Sequence, residues 1–151
     1  MSSTTSTRSV DLLLLEDQPS DADLALRALD DLEVGGRVHL VEDGAEALDF
    51  VFGREAYADR NVADAPALIL LDLKLPKVSG LEVLRQLKSD DRTREIPVIV
   101  LSSSKEDRDV ARCYEMGVNS YVVKPVDFGQ FTETVQRIGT YWLQTNEGPT
   151  S

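Results

Sequence analysis

Val10-Asp11-Leu12-Leu13-Leu14-Leu15-Glu16-Asp17 decides how the rest of the chain is read. The run from Val10 to Leu15, apolar apart from Asp11, stops abruptly at two carboxylates. Continuous apolarity, rather than alternation, marks a strand covered on both faces. Such a strand needs helices above and below it. Pro19-Ser20-Asp21 opens one, with Ala22, Ala25, Leu26, Leu29 and Leu32 spaced at the 3.6-residue period. Gly35-Gly36 stops it.

The same unit then repeats. Val38 to Val41 reads as a second strand. Asp43 with Glu46 caps a helix whose stripe is Ala45, Leu48, Val51 and Phe52. Gly53 to Ala65 is a polar loop, longer than most α/β connections. Leu68 to Leu71 is the third strand and ends at Asp72, and Ser79 with Glu82 caps the helix carrying Leu81, Val83, Leu84 and Leu87. Pro97 to Leu101 is the fourth strand. It ends in Ser102-Ser103-Ser104, serines able to cap a helix running to Gly117 with Val110, Ala111, Cys113 and Tyr114 on its apolar side. Ser120 to Val123 is the fifth strand, ending at Lys124-Pro125. Asp127 and Gln130 cap the last helix.

Five alternations of strand and helix predict an α/β domain, a doubly wound parallel sheet with helices on both faces. The expected architecture is a flavodoxin-like (βα)5 sheet in the order 2-1-3-4-5, with its ligand at the β1/β3 switch point outside the strand ends. The domain is expected over residues 10–143. A Ser/Thr-rich tail (1–9), read as disordered, precedes it, and a short tail (144–151) follows.

Composition narrows the function classes. The 151 residues carry 16 Lys+Arg and 27 Asp+Glu, a net charge of −11. A chain that acidic lacks the basic excess of a phosphate-backbone binder, so no nucleic-acid partner is expected. Cys113 is the only cysteine, which excludes an intrachain disulfide and a cysteine zinc cage. Leu12 to Leu15 is the longest aliphatic run, far short of a membrane span of ~20 residues. With no signal-like N-terminus, a cytoplasmic protein without a membrane partner is expected.

The strand ends carry the chemistry. In the expected order, Glu16 and Asp17 lie beside Asp72, so three carboxylates converge in one crevice. A hard divalent cation relieves their repulsion, and with few carboxylates and room for water Mg²⁺ suits them better than Ca²⁺. Ser102 and Lys124 close the fourth and fifth strands and offer a hydroxyl and an ammonium to an anion. Metal, lysine and hydroxyl are the equipment of phosphoryl transfer, which depends on positioning and charge neutralisation. A carboxylate in that centre can be the nucleophile itself. Asp72 is the best candidate because it ends the central strand.

The set Glu16-Asp17, Asp72, Ser102 and Lys124-Pro125 on five strand–helix units resembles the receiver domain of two-component response regulators. Leu14-Leu15-Glu16-Asp17, Asp72-Leu73 with Leu75-Pro76 and Gly80, and Tyr121-Val122-Val123-Lys124-Pro125 extend the likeness over Val10 to Leu143. Gln18-Pro19-Ser20-Asp21, Tyr57-Ala58-Asp59 and Tyr141-Trp142-Leu143 resemble the short stand-alone regulators that pair with phytochrome-type histidine kinases.

The resemblance implies a phosphoacceptor signalling protein, not a conventional enzyme, that promotes its own phosphorylation and dephosphorylation. Asp72 would accept the phosphoryl group from a sensor histidine kinase. Asp17, Glu16, Asp72 and the backbone carbonyl of Lys74 would hold Mg²⁺, with Mn²⁺ able to substitute. Ser102 and Lys124 would contact phosphoryl oxygens, and Tyr121 would be the switch aromatic. Lys124-Pro125 would be a cis peptide. Lys74 stands where close relatives usually carry Asn, which leaves a carbonyl ligand intact and bears on phosphate lifetime.

Rival classes fit less well. A haloacid-dehalogenase-type phosphatase needs a second Asp two residues after its nucleophile, where this chain has Lys74. A flavodoxin-like electron carrier needs a phosphate loop after the first strand, where Glu16-Asp17 would repel it. An interaction module with a decayed site does not explain the full acid–hydroxyl–lysine set. Since only a short tail follows the last helix, output is expected through protein–protein contacts, with a phosphate sink as the alternative.

Further readings are local. His39, the only histidine, reads as a half-exposed strand residue, and Cys113 as a small buried helix residue. Asp21, Asp23, Asp30 and Asp31 read as the solvated face of the first helix. The last helix carries Phe131, Val135, Ile138, Tyr141, Trp142 and Leu143. Three consecutive large residues cannot share one helix face, so at least one is left over. A homodimer through the fourth helix, fifth strand and fifth helix is therefore expected.

Overall fold

A computed structural model describes residues 10–32 and 37–148. The expected tail at 1–9, the Gly35-Gly36 stop and the final residues 149–151 lie outside the described residues.

The elements alternate as expected: β1 (Leu12–Leu15), α1 (Pro19–Asp30), β2 (Val38–Val41), α2 (Gly44–Phe52), β3 (Leu68–Leu71), α3 (Gly80–Ser89), β4 (Val98–Ser102), α4 (Asp107–Glu115), β5 (Ser120–Val123) and α5 (Phe128–Thr140). A π-helical turn over Tyr141–Thr145 continues α5. All strand pairs are parallel, in the order β2-β1-β3-β4-β5. This is the single flavodoxin-like domain predicted. No described helix is long and apolar enough to cross a membrane.

Period-two alternation splits the buried strand residues between two layers. Leu13, Leu15, Ile69, Leu71, Val98 and Val100 pack with Ala47, Leu48, Val51, Val83, Leu84, Leu87 and Cys113 from α2, α3 and α4. Leu12, Leu14, Leu68, Leu70, Ile99 and Leu101 face the other way and pack with Ala25, Ala28, Leu29, Phe131, Val135 and Ile138 from α1 and α5. Each such leucine withdrawn from water contributes about 1.5–3 kcal/mol before entropy is counted. Continuous apolar strands are thus needed because both faces are covered.

Three caps form as the sequence specifies. Asp43 accepts from the Glu46 N–H at 2.7 Å, Ser79 from the Glu82 N–H at 3.2 Å and Asp127 from the Gln130 N–H at 2.9 Å. Gly80 then seats α3 directly on the end of β3. A Cβ there would fall 2.6 Å from Leu73 Cα and against the Asp72 carbonyl. Only glycine lets the helix start this close to the Asp72 backbone.

Several details depart from expectation. β1 begins at Leu12 rather than Val10. The serines after β4 do not cap α4; its N-cap is Glu106, with no side-chain cap bond. Instead Ser104 Oγ donates to Asp109 at 2.6 Å and accepts from the Glu106 N–H at 3.3 Å. The apolar side expected for α4 is mostly exposed. Cys113 alone is buried, because five of nine helix residues are charged and leave no stripe for the sheet. In α1, Ala28 is buried, whereas Leu26 and Leu32 are only half-buried. The Lys124–Pro125 peptide is trans, with no cis bond among the described residues; trans is the favoured state by about 0.5–1 kcal/mol even before proline.

His39 is half-buried on β2, and the long loop covers it. Its Glu55–Tyr57 turn places Tyr57 so that the hydroxyl donates to Glu46 Oε2 at 2.7 Å and lies 3.0 Å from His39 Nε2. His39 also stacks on Phe50 at 4.6 Å. The insertion therefore shields edge strand β2.

Candidate functional site

Register places the site residues. Leu15 pairs with Leu71, so Glu16 and Asp72 leave the sheet side by side, joined by the Asp72 N–H donating to the Leu15 carbonyl at 3.1 Å. Val100 pairs with Leu71, and Ser102 pairs with Val123, so β4 and β5 bring Ser102 and Lys124 to the same edge. The Lys124 N–H donates to the Ser102 carbonyl at 2.8 Å.

Lys124 is the centre of the arrangement. Its ammonium donates to Glu16 Oε1 at 2.8 Å, to Asp72 Oδ2 at 2.9 Å and to Asp21 Oδ2 at 2.9 Å. An ammonium has three donors, and three carboxylates take them. The second oxygen of Asp72 accepts from the Lys74 backbone N–H at 3.0 Å, and Glu16 Oε2 accepts from the Gln18 N–H at 3.1 Å. Glu16 and Asp72 are buried. The Asp17 carboxylate has no hydrogen-bond partner among the described residues.

Glu16, Asp17 and Asp72 each present an oxygen within 4.8 Å of the others. Two ionised carboxylates at that separation repel by about 3 kcal/mol at an effective dielectric near 20. With Asp21, four carboxylates face one ammonium, a formal charge of 1 − 4 = −3. One lysine does not neutralise that set, so the residues suit a divalent metal ion bound through oxygen.

The charges show in the proton affinities. Burial pushes Glu16 up to about 7, with the Asp72 charge adding and Lys124 and the Gln18 N–H opposing. Burial alone would lower the Lys124 ammonium; its bonds to Glu16, Asp21 and Asp72, with the Asp72 charge, hold it above the ordinary lysine value instead. The ammonium is shared among three acids, so no single carboxylate receives its full charge.

Ser102 is fully buried, and its hydroxyl accepts from the Ser104 N–H at 3.2 Å. Tyr121 is half-buried against the α2–α3–α4 layer and donates its hydroxyl to the Ser104 carbonyl at 2.7 Å. The expected site residues therefore meet at one end of the sheet. Sequence reasoning missed Asp21, which was assigned to a solvated face. The available signal was its place in the first turn of α1, because helical side chains lean back toward the N-terminus.

A five-stranded parallel sheet with an acid cluster, a lysine and a hydroxyl at its carboxyl edge has the architecture of a receiver domain of the two-component type. The chain belongs to the response regulator receiver domain family, which matches residues 12–136. Its relatives include the probable methanogenesis regulatory protein FilR2 of Methanothrix harundinacea, 44% identical over 138 residues, 91% of this chain and 86% of that protein. The response regulator Rcp1 of Synechocystis is 35% identical over 134 residues, 89% of each chain. The Mn²⁺-bound structure of Rcp1 superposes with a TM-score of 0.86 at 34% identity, over 92% of this chain and 98% of that one. The phosphorylated cyanobacterial phytochrome response regulator RcpA gives 0.86 at 37% identity, over 94% and 100%. Phytochrome-associated stand-alone regulators are thus among its close homologues.

Glu16 should make the metal-free protein pH-sensitive. The unfolded chain releases this proton near 4.5 and the folded one near 7, so between them the fold holds more protons. The contribution is complete below 4.5 and lost as pH rises through about 7, roughly 3 kcal/mol in total. Urea unfolding in chelator at pH 5 and 7.5 should show wild type losing stability relative to Glu16→Gln. A difference that is flat with pH contradicts this geometry.

Proposed function

We propose that this chain is a single-domain response regulator that takes a phosphoryl group onto Asp72 from the phosphohistidine of a phytochrome-type sensor kinase. The P–N bond of the donor breaks as a P–O bond to the Asp72 carboxylate forms. The observation that carries this reading is the Lys124 ammonium held on Asp72 at the end of the central strand. Mg²⁺, with Mn²⁺ as a substitute, supplies charge neutralisation for the transferring oxygens when bound. Asp17, Glu16, Asp72 and the Lys74 carbonyl hold it. Asp17 is its principal side-chain ligand, because Glu16 is already engaged by Lys124 and Gln18.

After transfer, Lys124 and Ser102 contact the phosphoryl oxygens. Ser102 moves toward them, and Tyr121 turns into the space released. The receiver unit spans residues 10–143 and works in the cytoplasm, with no nucleic-acid or membrane partner. These finer points rest on the resemblance, the acidity and the placement of the residues.

Output by contact is favoured over a phosphate sink by the surface beyond β5. Val126 is 97% and Phe128 70% exposed, and Tyr114 of α4 and Val123 of β5 are exposed as well. A surface that leaves large apolar groups in water marks a binding site. We assign it to a homodimer. Trp142 and Leu143 are spent against the α1–α5 layer, so Tyr141 is the leftover side chain at the helix end.

Two outcomes follow. Wild type incubated with acetyl phosphate and Mg²⁺ should acquire a hydroxylamine-labile phosphate, and Asp72→Asn should not. Undiminished labelling of that variant rejects Asp72 as acceptor. By light scattering at micromolar concentration wild type should have a dimer mass, shifted toward monomer by Phe128→Glu with Asp72 labelling intact. A monomer mass with and without beryllofluoride rejects the dimer.

A further inference from the structure

Asp21 is the one carboxylate on Lys124 that lies outside the divalent-metal cluster. Glu16 and Asp72 each have a second claim on them, since both belong to the trio of oxygens within 4.8 Å. Asp21 does not belong to that trio, yet its Oδ2 accepts from the ammonium at 2.9 Å, as close as Asp72. It sits in the first turn of α1, a helix started by Pro19 and anchored by the Ala22 N–H donating to the Gln18 carbonyl at 2.9 Å. Its carboxylate is fixed by backbone that does not belong to any strand end. Lys124 itself is only 10% exposed, so its head-group has few other partners.

We propose that Asp21 is a positioning residue that holds the Lys124 ammonium at Asp72 while its other two partners are taken away. This rests on the phosphoacceptor reading. When a divalent ion draws Glu16 and Asp72 to itself, Lys124 loses two of three hydrogen-bond partners, and Asp21 remains. The ammonium then keeps its place and has donors free for oxygens arriving on Asp72. Without Asp21, the long lysine side chain recovers rotamer freedom and must be ordered again at each transfer. Asp21 makes no contact with the phosphoryl group in this account; it acts through Lys124.

A double-substitution cycle tests it. The probe is beryllofluoride with Mg²⁺, and the reading is its dissociation constant from amide shifts in β5. Asp21→Ala removes a negative charge, which by itself favours an anion, so the effect must be separated from the general field. The Lys124→Ala background carries that field term alone. In the wild-type background Asp21→Ala should weaken binding about tenfold, the size of one charge-assisted hydrogen bond, and Asp21→Asn less because an oxygen acceptor remains. In the Lys124→Ala background the same substitution should leave binding unchanged or strengthen it. The ¹⁵N–¹H signal of the Lys124 ammonium should be visible in the wild-type complex and lost in Asp21→Ala. Far-UV circular dichroism checks that the variants are folded. Equal losses in both backgrounds, or no loss in either, overturn the assignment. Failure of wild type to bind beryllofluoride overturns the phosphoacceptor reading beneath it instead.

Discussion

Lys124 stands among carboxylates that would otherwise drive one another apart. Its three donors reach Glu16, Asp21 and Asp72 at 2.8–2.9 Å, drawn from β1, the first turn of α1 and β3. Parallel strands are what make this possible. All five point their carboxyl ends to one edge, and pairing of Leu15 with Leu71 lines up the first and third. The buried leucines above and below fix that register, because a one-residue slip would turn each strand's layers inside out. Core packing thus sets the distances at which the charges meet.

The centre is over-supplied with negative charge. One ammonium cannot satisfy four acids, and burial, with the Asp72 charge adding to it, raises the proton affinity of Glu16. A divalent ion, a proton or a rearrangement of Lys124 each relieves it, so the site suits a cation. In the adjoining β4–α4 loop the Ser102 hydroxyl accepts from the Ser104 N–H and the Ser104 carbonyl accepts from Tyr121. Beyond it, α4 buries only Cys113. A lightly packed helix beside a compact acid centre can be biased at small cost, provided the phosphoryl group binds the two arrangements unequally.

The strand ends were legible because their apolar runs are covered on both faces and stop sharply at polar residues. Glu16, Asp17, Asp72, Ser102 and Lys124 could be brought to one edge from strand order alone. The helix starts at Asp43, Ser79 and Asp127 were legible from local capping chemistry. Asp21 was not, because helical periodicity describes only which face a residue occupies and not how far the side chain leans over the helix start. The serines after β4 misled for a related reason: a hydroxyl near a helix start suits a cap and a loop bond equally well. Tyr114 was misplaced because apolar type does not reveal whether a neighbouring surface remains to be covered. The shielding of His39 by Tyr57 depends on a contact across an insertion, which no local pattern encodes.

Mapping the acyl phosphate identifies the acceptor residue. The protein is phosphorylated with a small-molecule phosphodonor and Mg²⁺, reduced with borohydride to convert the acyl phosphate to homoserine, digested and sequenced by mass spectrometry. The account requires homoserine at position 72 and at no other acidic position. Homoserine at position 17 or 21, the five-carbon alcohol 2-amino-5-hydroxypentanoic acid at position 16, or an unaltered Asp72 in protein shown to carry phosphate, would contradict it.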